Sequence, residues 1–154
     1  MGSAQPVLLG PREVFARLQE VVLKFDMDAQ ADLYAEDGVL EWPFAPEDMP
    51  RRVAGREAIR RVLVPLGERA RAAGHRLLEY QSLVVHDTSD PEVIIAEFDV
   101  RGEIVPSGRP YQLSYVQVLR VRDGRIVTFR DYWNPQALSS LLAHAETLAA
   151  AAPM

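Results

Sequence analysis

The sequence predicts an α+β fold in which N-terminal helices cover one face of a curved antiparallel sheet. Apolar residues recur at helical spacing in the first half of the chain, and they alternate with polar residues in much of the second half. The alternating segments are separated by short turn sequences, among them Asp123-Gly124, which is typical of a hairpin. Helices followed by a run of strands is the order of an α+β fold. Such a sheet, wrapped around the helices, would form a cone-shaped barrel with an internal pocket, and its other face could meet a second subunit.

Two helices are predicted at the start of the chain. Pro11 suits the first turn of a helix over residues 11–25, which has apolar residues at helical spacing. Asp28 is expected to cap a second, short helix that includes Tyr34 and ends at Gly38.

The middle of the chain combines a short strand, a loop and a third helix. The strand is predicted at 39–42, and the proline-rich loop at 43–52 contains the apolar Phe44, so this loop is expected to fold over the pocket as a lid. The third helix starts at Gly55 and is expected to kink or break at Pro65, because proline lacks the backbone N–H of a helical hydrogen bond.

The second half of the chain is predicted to be mostly strand. The segments with alternating apolar residues are 75–87, 92–105, 109–122 and 125–134. Asn134-Pro135 then begins a final helix. We expect one domain over residues 10–148, with flexible termini at 1–9 and 149–154.

Composition excludes several classes of function. With 0 cysteines the chain holds no disulfide, thiolate metal site or cysteine nucleophile, and a net charge of -5 argues against nucleic acid as a partner. His75, His86 and His144 lack metal-ligand spacing, so no metal site is expected. No glycine-rich phosphate loop is present, so no cofactor is expected. The start has no signal-peptide pattern and no apolar run could span a bilayer, so we expect a cytoplasmic protein without a membrane partner.

A carboxylate on the last predicted strand is the strongest functional signal. Alternate residues of a strand point to opposite faces, so Asp131 shares an apolar face with Val127, Phe129 and Trp133. A buried carboxylate is costly unless it is paired or used for chemistry. Asp131 is therefore either half of an ion pair, with the Arg51-Arg52 loop as one source of the partner, or a functional acid–base group.

The order of elements and several motifs resemble the nuclear transport factor 2-like superfamily, most closely its SnoaL-like small-molecule enzymes. The segments that carry the resemblance are Leu33–Val39, Gly55–Ile59, Gly124–Ile126 and Arg130–Pro135. The resemblance covers residues 14–142 and implies a cystatin-like α+β barrel, a small-molecule substrate and a homodimer. This scaffold hosts isomerases, cyclases, dehydratases, epoxide hydrolases and non-catalytic modules, so the fold does not choose the activity.

Two groups of relatives differ from this chain at their functional positions. In the ketosteroid isomerases the position of the base is Trp42 here, and their second, proton-donating aspartate falls near Gln117. Steroid isomerase chemistry is therefore disfavoured. The phenazine-biosynthesis A/B proteins share the ending of the last strand, with a glutamate where Asp131 stands, which supports an acid at this position.

Limonene epoxide hydrolase is similar at two of five functional positions. Its base matches Asp131 and its acid matches Asp99, but the arginine that bridges them is Glu97 here. The two residues that hold its attacking water appear as Leu40 and Trp42.

Glu97 and Asp99 have two interpretations. The residues alone favour a solvent-facing position, because Phe98 and Val100 belong to the apolar, core-facing side of the same strand. The resemblance implies instead that the two acids face the cavity. Asp131 would then be the base, and Asp99 or Glu97 would be the acid, since neighbouring carboxylates in a dry pocket cannot all ionise.

Aromatic residues are candidates for binding a substrate, although each of them is equally suited to a core. The candidates are Trp42, Phe44, Tyr34, Tyr80, Tyr111, Tyr115, Phe129 and Trp133. We expect a cofactor-independent acid–base enzyme that performs a cyclase- or isomerase-type step on a small apolar metabolite of bacterial secondary metabolism. The alternatives are epoxide hydrolase-like or dehydratase activity, a non-catalytic small-molecule-binding accessory protein, and a structural dimerisation domain whose pocket is filled by its own side chains.

Overall fold

The computed structural model describes residues 8–137. Its elements, in chain order, are α1 (Pro11–Leu23), α2 (Met27–Asp32), β1 (Tyr34–Glu41), β2 (Arg52–Ala54), α3 (Arg56–Ala72), β3 (His75–Asp87), β4 (Val93–Ile104), β5 (Arg109–Arg122) and β6 (Arg125–Trp133). The predicted C-terminal helix beyond residue 137 and most of the predicted flexible termini lie outside the described residues.

The six strands form one curved, unclosed sheet in the order β2-β1-β6-β5-β4-β3. The α+β fold class is confirmed, with N-terminal helices and one curved sheet. The expectation of a wholly antiparallel sheet is wrong at one pair, because β1 runs parallel to β6. These two strands lie at opposite ends of the chain, and no hairpin turn constrains their relative direction.

The inner face of the sheet packs against α1 and α3. Helix α1 contacts β3, β4 and β5, whereas α3 contacts β1, β2 and β3. Strand β4 shows the two faces most clearly, since Ile94, Ala96, Phe98 and Val100 are buried while the residues between them are partly or fully exposed. This alternation places the core between the sheet and the helices.

Helix α2 is shorter than predicted. Its N-cap is Asp26, whose side chain accepts a hydrogen bond from the backbone N–H of Ala29 at 3.0 Å, and not Asp28. The helix ends at Asp32, so Tyr34 begins β1 instead of lying within the helix, and the helix does not reach Gly38. Gly38 lies inside β1, where a Cβ atom would come within 2.8 Å of the carbonyl oxygen of Ile126.

Helix α3 continues through Pro65, contrary to the predicted break. Proline removes one hydrogen bond to the carbonyl four residues earlier. Both Pro65 and Arg61 are exposed, so water can solvate that carbonyl. Ile59 and Leu63 before the proline and Gly67 after it are buried, and this packing supports both halves of the helix.

Strand β6 contains a β-bulge that decides which residues face inward. Val121 pairs with Ile126 but Arg120 pairs with Thr128, so Val127 is the extra residue. Ile126 is completely buried, whereas Val127 is half-buried and does not belong to the row that was predicted for it. Beyond the bulge Phe129, Asp131 and Trp133 share the inner face.

Candidate functional site

Asp131 lines an internal cavity between the sheet and the helices. The cavity has a volume of about 260 Å³, and most of its lining side chains are apolar residues of α1, α3 and the central strands. Asp131 is the one carboxylate among the described residues that line it. Asp131 lies beneath the protein surface. Its side chain is half-buried because it faces the open space of the cavity.

Gln117 is the nearest polar partner of Asp131. The two residues lie directly opposite each other on β5 and β6, and Gln117 Nε2 donates a hydrogen bond to Asp131 Oδ1 at 3.0 Å. The amide of Gln117 is itself buried, and its Oε1 has no hydrogen-bond partner among the described residues. Trp42, which lines the same cavity, also favours the ionised form of Asp131.

No cation neutralises Asp131 within residues 8–137, because none of the ion pairs found there includes it. The arginine clamp considered from the sequence is therefore wrong. Arg51 donates instead to the carbonyl oxygen of Ala45 at 3.2 Å, and Arg52 is exposed.

Burial raises the pKa of Asp131 from 3.8 to about 6, although the contacts with Gln117 and Trp42 lower it. Burial has the larger effect because an ionised carboxylate loses its water in an apolar cavity. A group with this pKa is mostly ionised at neutral pH, but it holds a proton more tightly than an ordinary aspartate. Both properties suit a general base that later returns its proton.

Two tyrosines in the cavity wall can donate hydrogen bonds. Tyr80 and Tyr115 both line the cavity, and their rings lie on either side of Phe98, with ring centroids 4.7 and 5.5 Å from its own. Burial raises the pKa of both phenols, and the negative charge of Asp131 raises it further. Both hydroxyl groups therefore stay protonated at neutral pH.

The predicted substrate-binding residues divide into two groups. Trp42, Tyr115 and Phe129 line the cavity together with Asp131. Trp133 is buried and packs edge-on against Trp42 with ring centroids 5.7 Å apart, so it supports the wall from behind.

Tyr34 and Phe44 are not among the described residues that line the cavity. Tyr34 is fully buried, and burial followed by the charge of Asp131 raises the pKa of its phenol. Phe44 is 57% exposed and packs on Tyr132, which lies on the outer face of the sheet. A lid role for Phe44 is therefore not supported by its position.

The expectation that Glu97 and Asp99 face the cavity is wrong. Their neighbours Phe98 and Val100 line it, so the alternation of β4 sends both acids to the outer face. There the carboxylate of Glu97 contacts Nε2 of His86 at 2.7 Å, and Ser114 donates to Asp99 Oδ1 at 2.6 Å. The interpretation from the residues alone, which placed both acids in solvent, is the correct one.

Sequence reasoning did not propose Gln117 or Gln30 as site residues, although both line the cavity, whereas Tyr80 was among the aromatic candidates and does line it. One signal was available for Gln117, because comparison with the ketosteroid isomerases placed their proton donor near it. Gln30 is buried on a short helix, and nothing in its local pattern distinguishes it from a surface glutamine.

Two features are absent from residues 8–137. No group of three or more His, Asp or Glu side chains in this range is arranged to hold a metal ion. The helices of the same range are all too short or too polar to cross a membrane.

Comparison with known proteins identifies the family. The model of the SnoaL-like domain matches residues 15–129. The chain belongs to the SnoaL-like family, within the nuclear transport factor 2-like superfamily. Among its relatives, the uncharacterised protein YesE of Bacillus subtilis is 35% identical over 123 residues, which is 80% of each chain. An uncharacterised PhzA/B-like protein of Pseudomonas aeruginosa, PA3332, is 31% identical over 140 residues, which is 91% of each chain.

Solved structures of this SnoaL-like fold include candidate enzymes. A candidate isomerase from Bacillus subtilis has a TM-score of 0.74 and 32% identity, over 86% of this chain and 91% of the other. A candidate polyketide cyclase from Xanthomonas campestris has a TM-score of 0.61 and 24% identity, over 87% of this chain and 95% of the other. At that level of identity the second structure shows the shared fold alone.

Proposed function

We propose that this SnoaL-like protein is a cofactor-independent acid–base enzyme that relocates a proton on a small apolar carbonyl compound, as an isomerase or a cyclase does. One observation carries the proposal. Asp131 is a carboxylate with a pKa of about 6, without a cationic partner among the described residues, in an otherwise largely apolar cavity. A buried charge without a partner costs stability, and this cost is typical of groups that are kept for chemistry.

Asp131 would act as the base. Its ionised form takes a proton from a carbon next to a carbonyl group, and the electron pair moves onto the carbonyl oxygen. Gln117 holds Oδ1, so Oδ2 is the oxygen free to react. The neutral phenols of Tyr80 and Tyr115 are the donors near which the new oxyanion would lie.

The proton can then follow two courses. Protonated Asp131 can return it to a different carbon of the same molecule, which moves a double bond and is an isomerisation. Alternatively, the carbanion can attack a second carbonyl carbon within the substrate, which forms a ring, and Asp131 gives its proton to the new alkoxide. Both courses need a single carboxylate that alternates between base and acid.

The single carboxylate disfavours epoxide hydrolysis. Epoxide opening needs an activated water and a separate proton donor. Here Asp99, the counterpart of the acid in limonene epoxide hydrolase, lies on the outer face with Ser114. The two positions that hold the attacking water in that hydrolase are Leu40 and Trp42 in this chain. An isomerase or a cyclase therefore has the better support.

The two non-catalytic alternatives, a binding module and a structural domain, predict different cavities. A non-catalytic binding module predicts an arginine that neutralises Asp131 and no second acid in the cavity. The second feature is present in the described residues, but the first is not. A purely structural domain was expected to fill its own pocket, whereas the described side chains leave about 260 Å³ open. The relative that is a candidate isomerase at 32% identity adds support for catalysis.

The experiment compares Asp131→Asn with Asp99→Asn. Both variants remove one carboxylate from a strand of the sheet, but only the first removes it from the cavity. The assay follows conversion of cyclohex-3-en-1-one to its conjugated isomer by ultraviolet absorbance. It also follows deuterium uptake next to the carbonyl of a panel of small ketones and diketones in D₂O by NMR.

The wild-type protein should catalyse exchange or isomerisation on part of the panel. Asp131→Asn should lower the rate by roughly 100-fold or more, the range found for general-base catalysis. Asp99→Asn should retain the wild-type rate. Equal rates for wild type and Asp131→Asn, or an equal loss in both variants, would contradict the proposal.

A further inference from the structure

A cleft beside the cavity is lined by positively charged residues, although the protein as a whole is negatively charged. It has a volume of about 380 Å³ and lies where the ends of α1 and α3 meet the start of β3. Lys24, Arg71 and Arg76 line it, and no acidic residue is among the described residues of its wall. The whole chain carries a net charge of -5, so this concentration of cations opposes the overall balance.

The cations of the cleft are free to meet a ligand. None of the three forms an ion pair with a described carboxylate. Arg71 uses its Nη2 group to donate to the carbonyl oxygens of Lys24 and Phe25, at 3.0 and 2.7 Å. Its Nε and Nη1 groups have no hydrogen-bond partner among the described residues.

Arginines elsewhere in the protein behave differently. Arg60, near the start of α3, contacts Asp28, Asp32 and Glu57 at once. The neighbouring cleft that includes Arg60 and Arg61 also contains Asp26, Asp28 and Glu68, so its charges are mixed, and Arg71 lines its wall as well. Of the three cations beside the cavity, Lys24 and Arg76 do not line this mixed cleft.

The cleft and the cavity share part of their walls. Phe25 and Leu77 line both of them. The cavity that Asp131 lines and the cleft that Lys24 and Arg71 line are therefore neighbouring spaces. A molecule long enough to extend past these two shared side chains would occupy both.

We propose that the cleft binds the anionic group of the substrate, with Lys24, Arg71 and Arg76 as its ligands, while the carbonyl part lies in the cavity beside Asp131. The substrate class becomes a small carbonyl compound with an apolar middle and a carboxylate or phosphate end. The division follows from charge, because an anion next to ionised Asp131 would be repelled whereas one in the cleft meets three cations. The inference rests on the proposed function for the carbonyl end, but the binding of the anionic end can be measured without turnover.

The test uses three probes of equal chain length and different charge, namely octanoate, octyl phosphate and 1-octanol. Their dissociation constants are measured by calorimetry at low and high salt. The variant is Lys24→Gln/Arg76→Gln, which leaves Arg71 in place because Arg71 caps the end of α1. The matched control is Arg61→Gln, which removes a cation from the neighbouring mixed cleft.

Octanoate or octyl phosphate should bind about tenfold tighter than octanol to the wild-type protein, as expected for about two partly exposed ion pairs, and the tighter of the two identifies the anion. Added salt should reduce the preference. The double variant should lose it, and Arg61→Gln should keep it. Equal binding of all three probes, or an unchanged preference in the double variant, would overturn the proposal.

The variant Asp131→Asn tests whether the anion binds in the cleft or in the cavity. If the anion lies in the cleft, this variant should bind octanoate within about twofold of wild type. A large gain in affinity would place the carboxylate beside residue 131 and overturn the inference. A failure of the proposed function would appear as full turnover in Asp131→Asn, which is a separate measurement from any of these affinities.

Discussion

Asp131 lowers the stability of the folded protein at neutral pH. Its pKa rises from 3.8 to about 6 because burial removes water from the charged form. The folded state therefore binds this proton more tightly than the unfolded chain does. The free energy of unfolding should fall as the pH rises from about 4 to about 6, and the loss should persist above pH 6, where both states are ionised.

The first prediction concerns Asp131→Asn and its stability. The amide cannot ionise, yet its oxygen can still accept the hydrogen bond from Gln117. The variant should therefore be more stable than wild type at pH 8, by up to roughly 3 kcal/mol, and the difference should vanish near pH 4. Urea unfolding of both proteins at the two pH values measures it. A difference that is equal at pH 4 and pH 8 would show that Asp131 is not held in a dry site.

The second prediction concerns Gln117, which stabilises the ionised form of Asp131 by donating to it. Gln117→Leu removes this donor, so the pKa of Asp131 should rise further above 6. The activity of a base increases with pH through its pKa, so the midpoint of the pH–rate profile should move up by roughly one unit, as expected for loss of a hydrogen bond to a charged group.

The control for this prediction is Gln112→Leu. Gln112 is exposed on the same strand and lies on the outer face, so its profile should match that of wild type. A Gln117→Leu protein that loses rate at every pH without a shift in midpoint would contradict the role given to the amide.

Two strands set the geometry of the site. Strand β1 ends at Glu41, just before Trp42, and it runs parallel to β6, which carries Asp131. The register of this pair shifts between Tyr34 and Val39, where β1 passes close to β6 at Gly38. Beyond that shift Glu41 pairs with Arg130, so the residues that follow them, Trp42 and Asp131, lie beside each other.

The third prediction is that Gly38→Ala destabilises the protein. The new Cβ would lie 2.8 Å from the carbonyl oxygen of Ile126 and 3.0 Å from that of Ala35. Backbone atoms cannot rotate away as side chains do, so the strands must separate. We expect a loss of roughly 1–3 kcal/mol in the free energy of unfolding, measured by urea denaturation.

Gly10→Ala is the matched substitution. There the new Cβ would meet the flexible carboxylate of Glu13 at 3.0 Å, which can move at little cost. A loss at Gly38 no greater than the loss at Gly10 would show that the approach of β1 to β6 is not tight.

The outer face of the sheet matters for the molecule as a whole. It carries partly exposed apolar residues, among them Val84 at 49% and Val116 at 39% exposure, beside Tyr132 on the neighbouring strand. A partner subunit would cover such a surface, which agrees with the homodimer expected from the sequence. We retain the homodimer as a proposal.

The fourth prediction tests this assembly. Wild-type protein should sediment as a dimer, and Val116→Arg should shift it toward monomer because an arginine would be buried at the centre of the outer face. Leu8→Arg provides the control, since Leu8 is 60% exposed beside the turn at Gly124. A monomeric wild type, or equal dissociation of both variants, would contradict the dimer.

Much of the fold followed from local pattern. The strand predicted at 75–87 is found as β3 with the same bounds, and the hairpin at Asp123-Gly124 joins β5 to β6. The errors fall where an element depends on distant contacts. Helix α2 ends before Tyr34 because that residue pairs with Ile126 in the sheet, and α3 continues through Pro65 because its buried face packs on both sides of it.

The residues themselves determined the α+β class and the place of Asp131 on the same strand face as Phe129 and Trp133, because helical and strand periods are local properties. Only the tertiary structure decided the partners of that acid. Without the bulge at Val127, the pairing of Arg122 with Arg125 would continue so that Gln117 met Arg130, and the extra residue brings it to Asp131 instead. The tertiary structure likewise decided the outward direction of Glu97 and Asp99, because their neighbours Phe98 and Val100 line the cavity. Register between strands depends on pairings across the whole sheet, so the sequence of one strand cannot specify which side chain stands opposite its acid.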